Sequence, residues 1–333
     1  MFRVYKIIPC KELMFGSLKH FVAGESHYYT SSESLNIMRF FKLVEDLKEE
    51  EFVKICAVGF FSESDGSFLV PLPADILFPR KGREGNPVMA KYREDYVFIK
   101  GTLEHYEYKR AYVKLSCLLK DYLHGRLDCF NKRDDNKEGD KEGILEESSI
   151  LKREQKVGLG VDYESKTSKE GRLYFTQRLG VRSNYFLSIL VEGKLREAES
   201  FVGAERTRAF VKDSGLYVKS LEELQNIKEG EFYKFYLLSH AFFDDSKVYI
   251  NGIEFELKWI FSAGAEWISG WRKPALYMLR PGSVLVLRAK TSGNVRRLCQ
   301  IEAFEGVINI IEGKRSFLDF GWNTGIIMRE VNT

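Results

Sequence analysis

The chain is 333 residues long, 44% hydrophobic and 14% aromatic, enough apolar material for two packed cores and too much for a disordered chain. Its 51 Lys plus Arg stand against 48 Asp plus Glu, a formal net charge of +3, which excludes a polycationic tail protein and leaves room for a local basic surface. Cys10, Cys56, Cys117, Cys129 and Cys299 are scattered without a C-x-x-C, so reduced thiols are expected and neither a disulfide framework nor a zinc site.

Met1 to Lys6 lacks a signal-peptide core, and no apolar run reaches the roughly 18 residues of a membrane helix. A soluble, cytoplasmic protein with no membrane partner is expected. Residues 2–8 alternate as an opening strand, and a polar, aromatic loop follows from about Lys11 to Tyr29. Thr30 and Glu33 read as a capping box before an apolar stripe at Ile37, Phe40, Phe41, Val44 and Leu47, predicting a helix. Val53 to Phe61 and Ser67 to Leu72 read as two strands turning through Glu63-Ser64-Asp65-Gly66. Tyr96 to Lys100 reads as a strand, and Ala111 to His124 as an amphipathic helix.

Residues 131–156 carry fifteen charges, seven basic and eight acidic, and are expected to form a mobile insertion outside the core. Val157 to Tyr163 and Arg172 to Gln177 predict a protruding hairpin, and Tyr185 to Val191 another strand. A short helix is expected at Leu221–Ile227, then strands at 232–238, 247–261, 283–289 and 326–331. The strand-helix-strand-strand-helix-strand order of the first half is the ferredoxin-like pattern. The second half has strands enough for another copy, with no residue-level repeat. The expected fold is α+β, two ferredoxin-like domains at 1–212 and 213–333, the first carrying the charged insertion (127–156) and the hairpin (157–177).

Motifs for catalysis are missing: the sequence contains no Walker A, H-E-x-x-H, G-x-S-x-G or kinase signature. No helix is predicted after Gly158-Leu159-Gly160 to receive a phosphate. His20 and His27 share a polar loop with Lys19, Ser26, Tyr28 and Tyr29, residue types suited to metal-independent RNA cleavage or simply to packing and RNA binding. His124 and His240 read as structural. Residues 271–300 hold seven basic residues (Arg272, Lys273, Arg280, Arg288, Lys290, Arg296, Arg297) and no acidic one. With Trp267, Trp271 and Tyr277 interleaved, a one-sided basic surface for single-stranded RNA is expected, against a solvated strand face with buried aromatics. Gly321 and Gly325, in Phe320-Gly321-Trp322-Asn323-Thr324-Gly325, would let backbone amides approach a phosphate, or form an ordinary turn.

These segments together resemble a family, the third subunit of the Cmr (type III-B) CRISPR effector, a five-type RAMP protein. Ile268-Ser269-Gly270-Trp271, Lys273-Pro274 and Pro281-Gly282-Ser283-Val284 are similar to its GW…P…PGSV run. Leu238-Ser239-His240-Ala241-Phe242-Phe243 is similar to its L-T-P-A-x-F strand, with His240 where proline is usual. Val157-Gly158-Leu159-Gly160-Val161-Asp162 with Lys169-Glu170-Gly171-Arg172-Leu173-Tyr174 resembles its hairpin, Phe201 to Arg206 its LGGERR strand, and Leu69 to Asp75 its PxPxD segment. Phe21, Gly24 and Arg39 fall where the family has an N-terminal glycine loop and a helix arginine. The family's FRD arginine is replaced around Phe15-Gly16.

The resemblance implies a non-catalytic RNA-binding subunit of two RRM-like (RAMP) domains, without cofactor or metal. Such a subunit grips the repeat-derived 5′ handle of the crRNA, pairs with the large polymerase-like subunit and abuts backbone RAMP subunits. By residue type, Lys19, His20 and Arg39 would contact handle phosphates. Lys166, Lys169 and Arg172 on the hairpin would hold a displaced nucleotide, and Arg206 and Arg208 would extend that path. Trp271, Arg272 and Lys273 would stack and neutralise, and the amides of Gly321 and Gly325 would line a nest. A RAMP endoribonuclease using His20 or His27, a protein-only scaffold, and the equivalent type III-A subunit are the alternatives.

Overall fold

A computed structural model of the chain describes residues 1–13, 16–17, 27–31, 35–83, 85–93, 96–99, 101–130, 143–161, 168–203, 206–242, 247–270, 273–302, 319 and 321–330. For 16–17, 27–31, 155–161, 168–177, 267–270 and 273–276 it describes the backbone alone. The fold is strand-rich α+β and rests on two antiparallel sheets.

The first sheet is built from β1 (Phe2–Pro9), β3 (Lys54–Ser62), β4 (Ser67–Pro71), β5 (Ala111–Lys114), β6 (Ile144–Glu146), β9 (Tyr185–Glu192), β10 (Glu199–Val202) and β11 (Thr207–Tyr217). Between them lie β2 (His27–Ser31), β7 (Leu151–Val161) and β8 (Ser168–Val181). The sheet order is β6-β5-β4-β3-β9-β1-β11-β10. The helix α1 (Phe41–Leu47) connects β1 to β3, and these two strands enclose β9, each pairing antiparallel with it. Taking β1, β3, β9 and β11 as one to four, the central order is 4-1-3-2.

The second sheet contains β12 (Phe232–Leu237), β13 (Lys247–Ile250), β14 (Ile253–Phe261), β17 (Val284–Ala289), β18 (Leu298–Gln300) and β19 (Thr324–Arg329), in the order β13-β14-β17-β12-β19-β18. Its strands β12, β14, β17 and β19 repeat the same 4-1-3-2 order. A hairpin of β15 (Ala265–Gly270) and β16 (Lys273–Leu279) stands between its second and third strands. The two halves therefore share a strand order that their residues do not advertise.

Alternation along the strands explains how the sheets stack. Tyr5, Ile7, Ile55, Val58, Phe60, Leu187 and Ile189 face α1 in one core. Phe2, Val4, Cys56, Ala57 and Leu190 face the other way and share a second core with Tyr236, Leu238, Val284, Ile326 and Met328 of the second sheet. The alternate residues Tyr233, Phe235, Leu237 and Ile327 close a third core on the far side. Each fully buried side chain of this kind stabilises by roughly 1.5–3 kcal/mol.

Several expectations are corrected. The helix over 30–47 is a 3-10 turn at Ile37–Arg39 leading into α1; Asn36, whose side chain accepts from the Met38 amide at 2.9 Å, is the cap. Thr30 belongs to β2, and Glu33 lies outside the described residues. Ala111 to Lys114 is β5, because Val113 pairs with Val70 and extends the sheet; helix α2 covers only Leu115–Lys120. Leu224–Ile227 is a strand paired with Gly293–Arg296, not a helix. The charged segment is not uniformly outside the core. Residues 143–156 provide β6, the short helix α3 (Glu147–Ile150) and the start of β7, with Ile150 and Leu151 buried. A boundary at 212 would cut β11.

A buried ion pair interrupts the apolar interface between the sheets. The Lys234 ammonium donates to Asp75 at 2.6 Å and to the Ala90 carbonyl at 3.4 Å, and the Tyr122 hydroxyl donates to Asp75 at 2.7 Å. Both charged side chains are buried, at 5% and 0% exposure. Burial, then the Asp75 charge and hydrogen bond, push the Tyr122 phenol well above its ordinary pKa. Replacing Lys234 with Met strands a buried carboxylate and is expected to cost ~3–5 kcal/mol, read by urea unfolding. Adding Asp75→Asn should recover a substantial part of that loss.

Candidate nucleic-acid interface

The sequence-nominated residues fall into separate places. Arg39 closes the 3-10 turn before α1, and its carbonyl accepts from the Gly203 amide at 3.2 Å. Gly203 opens the turn between β10 and β11, with φ +78, and Arg206 follows at φ +49, a left-handed conformation uncommon for a side-chain-bearing residue. The Arg206 guanidinium lies 5.3 Å from the Phe201 ring centroid. The Arg39 side chain is half-buried, and that desolvation lowers its pKa from the ordinary arginine value. Asp46 of α1 lies within electrostatic reach of Arg206. Its burial, which disfavours charge, is outweighed by hydrogen bonds from Lys42 and Ser200, and its pKa falls below the ordinary value. The backbone of Arg39 and the turn that carries Arg206 thus share one corner. Arg208 is next along β11, exposed and paired with Glu199 at 3.0 Å.

A second group gathers by backbone pairing. β7 and β8 pair antiparallel from Leu151↔Val181 to Val161↔Ser168, and β8 also pairs parallel with β2 at Tyr174↔His27 to Thr176↔Tyr29. Lys169 and Arg172 lie on β8. This pairing sets the end of the polar N-terminal loop beside the strand that carries them. Lys19, His20 and Lys166 lie outside the described residues. Leu151 and Leu179 at the root of this strand pair belong to the same core as Ile37 and Phe40. Both groups therefore grow from the α1 side of the first sheet.

Among the described side chains of 271–300, four of the basic ones are paired with carboxylates. Arg280 pairs with Glu266, Lys290 with Glu256, Arg296 with Glu192 and Arg297 with Glu223. Strand pairing and packing return acidic residues from distant parts of the sequence to this run, which a count along the chain does not register. Trp271 and Arg272 lie outside the described residues, and Lys273 opens β16 opposite Gly270. His240 is buried, its Nε2 2.8 Å from Glu266, in keeping with a structural histidine.

Gly321 and Gly325 each make a close approach inside the protein. A Cβ on Gly321, at φ +97, would stand 1.6 Å from the Ile55 carbonyl oxygen of β3. One on Gly325 would stand 2.4 Å from the Phe235 ring. Between them Asn323 exchanges 2.8 Å hydrogen bonds with the Phe242 amide and carbonyl, and the Thr324 amide donates to Ser239 at 2.9 Å. Trp322 is buried in the first core. This turn fastens the second sheet to the first.

Among the described residues no group of three or more His, Cys, Asp or Glu is placed to hold a metal. The five cysteines are free thiols. A cavity of about 270 Å³ between the sheets is lined by Lys54, Cys56, Glu192, Arg296 and Gln300. Its cations are already engaged, Arg296 with Glu192 and Lys54 with Gln300 at 2.9 Å, and burial pushes the Cys56 thiol up to about 12. Among the described residues no helix is long and apolar enough to cross a membrane.

The chain belongs to the CRISPR-associated protein (Cas_Cmr3) family, whose model matches residues 30–302. Solved structures with similar chains include the cryo-EM structure of the Type III-B Cmr-beta bound to cognate target RNA and AMPPnP, state 1, and that of the Type III-B Cmr-beta bound to cognate target RNA. In each the similar chain is 15% identical with a TM-score of 0.43, over 85% of this chain and 86% of that one. No curated protein matches the chain.

The fastening turn has a direct test. Gly66→Ala, at φ +63 with nothing within 4 Å of the added Cβ, is expected to cost ~1–2 kcal/mol of backbone strain. Gly321→Ala adds the collision with β3 and should cost a further ~2 kcal/mol or more in thermal or urea unfolding.

Proposed function

We propose that this chain is a non-catalytic, guide-RNA-binding subunit of a type III-B CRISPR effector ribonucleoprotein, holding the repeat-derived 5′ handle and docking the large polymerase-like subunit beside the backbone RAMP subunits. Membership of the Cas_Cmr3 family supports the assembly. The observation that carries the RNA reading is the common origin of the two cationic groups. The turn carrying Arg39 and the β7–β8 pair bearing Lys169 and Arg172 are rooted in one core, on one side of the first sheet, and the β10–β11 turn that carries Arg206 is hydrogen-bonded to Arg39 at the sheet's end. One single strand can follow both, its phosphates met by guanidinium and ammonium groups. The repeated 4-1-3-2 strand order supports two ferredoxin-like units. Lys19, His20, Lys166, Trp271, Arg272 and Lys273 remain part of this proposal on residue type, and Arg208 extends the corner.

Purifying the tagged protein from its host and sequencing the RNA that accompanies it tests the reading. Guide RNAs sharing one repeat-derived 5′ end, with RAMP subunits alongside, are expected; subunits without guide RNA would overturn it in favour of a scaffold. For the purified chain, affinity for handle RNA should fall steeply with salt, and Arg39→Glu should lower the log–log salt slope by about 1. The non-catalytic part fails if the pure protein cleaves repeat RNA without metal and His20→Ala or His27→Ala abolishes that cleavage.

A further inference from the structure

The first sheet is longer than the second sheet that covers it, and its uncovered end is aromatic. On β11, Ala209 and Val211 point into the core, so Arg208, Phe210 and Lys212 point the other way. Phe210 faces Ile8 on β1 and Glu199 on β10, and Phe201 faces Arg208. Phe201, Phe210 and Ile8 are 37%, 39% and 37% exposed, large apolar groups left in water on a regular sheet face. The Arg206 guanidinium already sits against the Phe201 ring, and Lys212 is exposed two residues beyond Phe210.

We propose that this face, centred on Phe201 and Phe210, is a base-stacking platform for single-stranded RNA, a surface additional to the phosphate grip. The inference rests on the RNA-binding reading above and deepens it. Charge complementarity selects the occupant. Arg206, Arg208 and Lys212 flank the two rings, and the Glu199 carboxylate within the patch is held by Arg208. The two phenylalanines stand diagonally across adjacent strands, about 7–8 Å apart at their backbones. That spacing gives each ring room for one base. Stacking on a phenyl face is indifferent to base identity and is reinforced by a neighbouring guanidinium. The patch is continuous with the proposed corner, because Arg206 touches Phe201 while the Gly203 turn that precedes it is bonded to Arg39. An RNA strand leaving the corner would run onto the rings.

The test is binding of the full-length chain to a fluorescent oligouridylate and to an abasic oligonucleotide of the same length. Phe201→Ala and Phe210→Ala are each expected to weaken oligouridylate binding roughly tenfold, within the range stacked bases show, and to leave abasic binding unchanged. Phe52→Ala, at a phenylalanine 80% exposed elsewhere on the surface, should change neither. If Arg39→Glu abolishes binding while Phe201→Ala and Phe210→Ala bind as the parent does, the platform is overturned and the phosphate grip stands. Failure of the parent chain to bind either oligonucleotide overturns both. Unchanged RNA affinity with loss of co-purifying subunits, or of self-association, would make the face a protein interface and overturn the platform.

Discussion

Lys234 and Asp75 meet inside the otherwise apolar contact between the two sheets. Hydrophobic contact between Val4, Ala57 and Leu190 on one side and Val284, Ile326 and Met328 on the other is strong but non-directional. A buried ion pair is the opposite: of doubtful net stabilising value, yet intolerant of displacement, because a small slip leaves two desolvated charges unsatisfied. Asp75 comes from the segment after β4, Tyr122 from the turn after α2 and Lys234 from β12, so one cluster fixes three separate parts of the chain. Glu330 lies close by, its carboxyl pushed up by burial despite the Lys234 charge.

The turn at Gly321 to Gly325 fixes the other end of the same interface. There the constraint is steric rather than electrostatic, since the approach to the Ile55 carbonyl admits only a hydrogen. Glycines near an expected ligand site invite the thought of a phosphate nest. The same freedom from a Cβ serves equally for backbone against backbone, and composition cannot distinguish the two. Arg296 with Glu192 and Lys54 with Gln300 bridge the interface between these two anchors.

Continuous apolar runs bounded by turn residues made most strands readable: β3, β4, β9, β12 and β17 lie on such runs and are buried along nearly their whole length. Helices were less readable, because Ala111 to Lys114 and Leu224 to Ile227 take their conformation from distant strand partners rather than from local pattern. Of the site, local sequence identified cationic residues but not their neighbours. It read the run from 271 to 300 as basic when Glu192, Glu223, Glu256 and Glu266 arrive from elsewhere in the chain to meet it. It also named Arg206 and Arg208 without Phe201 and Phe210, whose significance depends on which sheet face stays open. An exposed phenylalanine and a buried one look alike in a sequence.

Two sheets with the same strand order can present two equivalent faces to a ligand, and here each spends most of one such face on the other. The exchange leaves the two sheets little open face, and the cationic groups of the first half lie on its turns and its long strand pair. At β10 and β11 the first sheet leaves exposed aromatic and cationic side chains side by side. Charge on the turns gives reach and tolerance of sequence; a ring pair on a rigid sheet fixes where a base can rest. On the proposed reading, a protein that holds one end of an RNA in a defined register needs both, and the single turn from Gly203 to Arg206 lies between them.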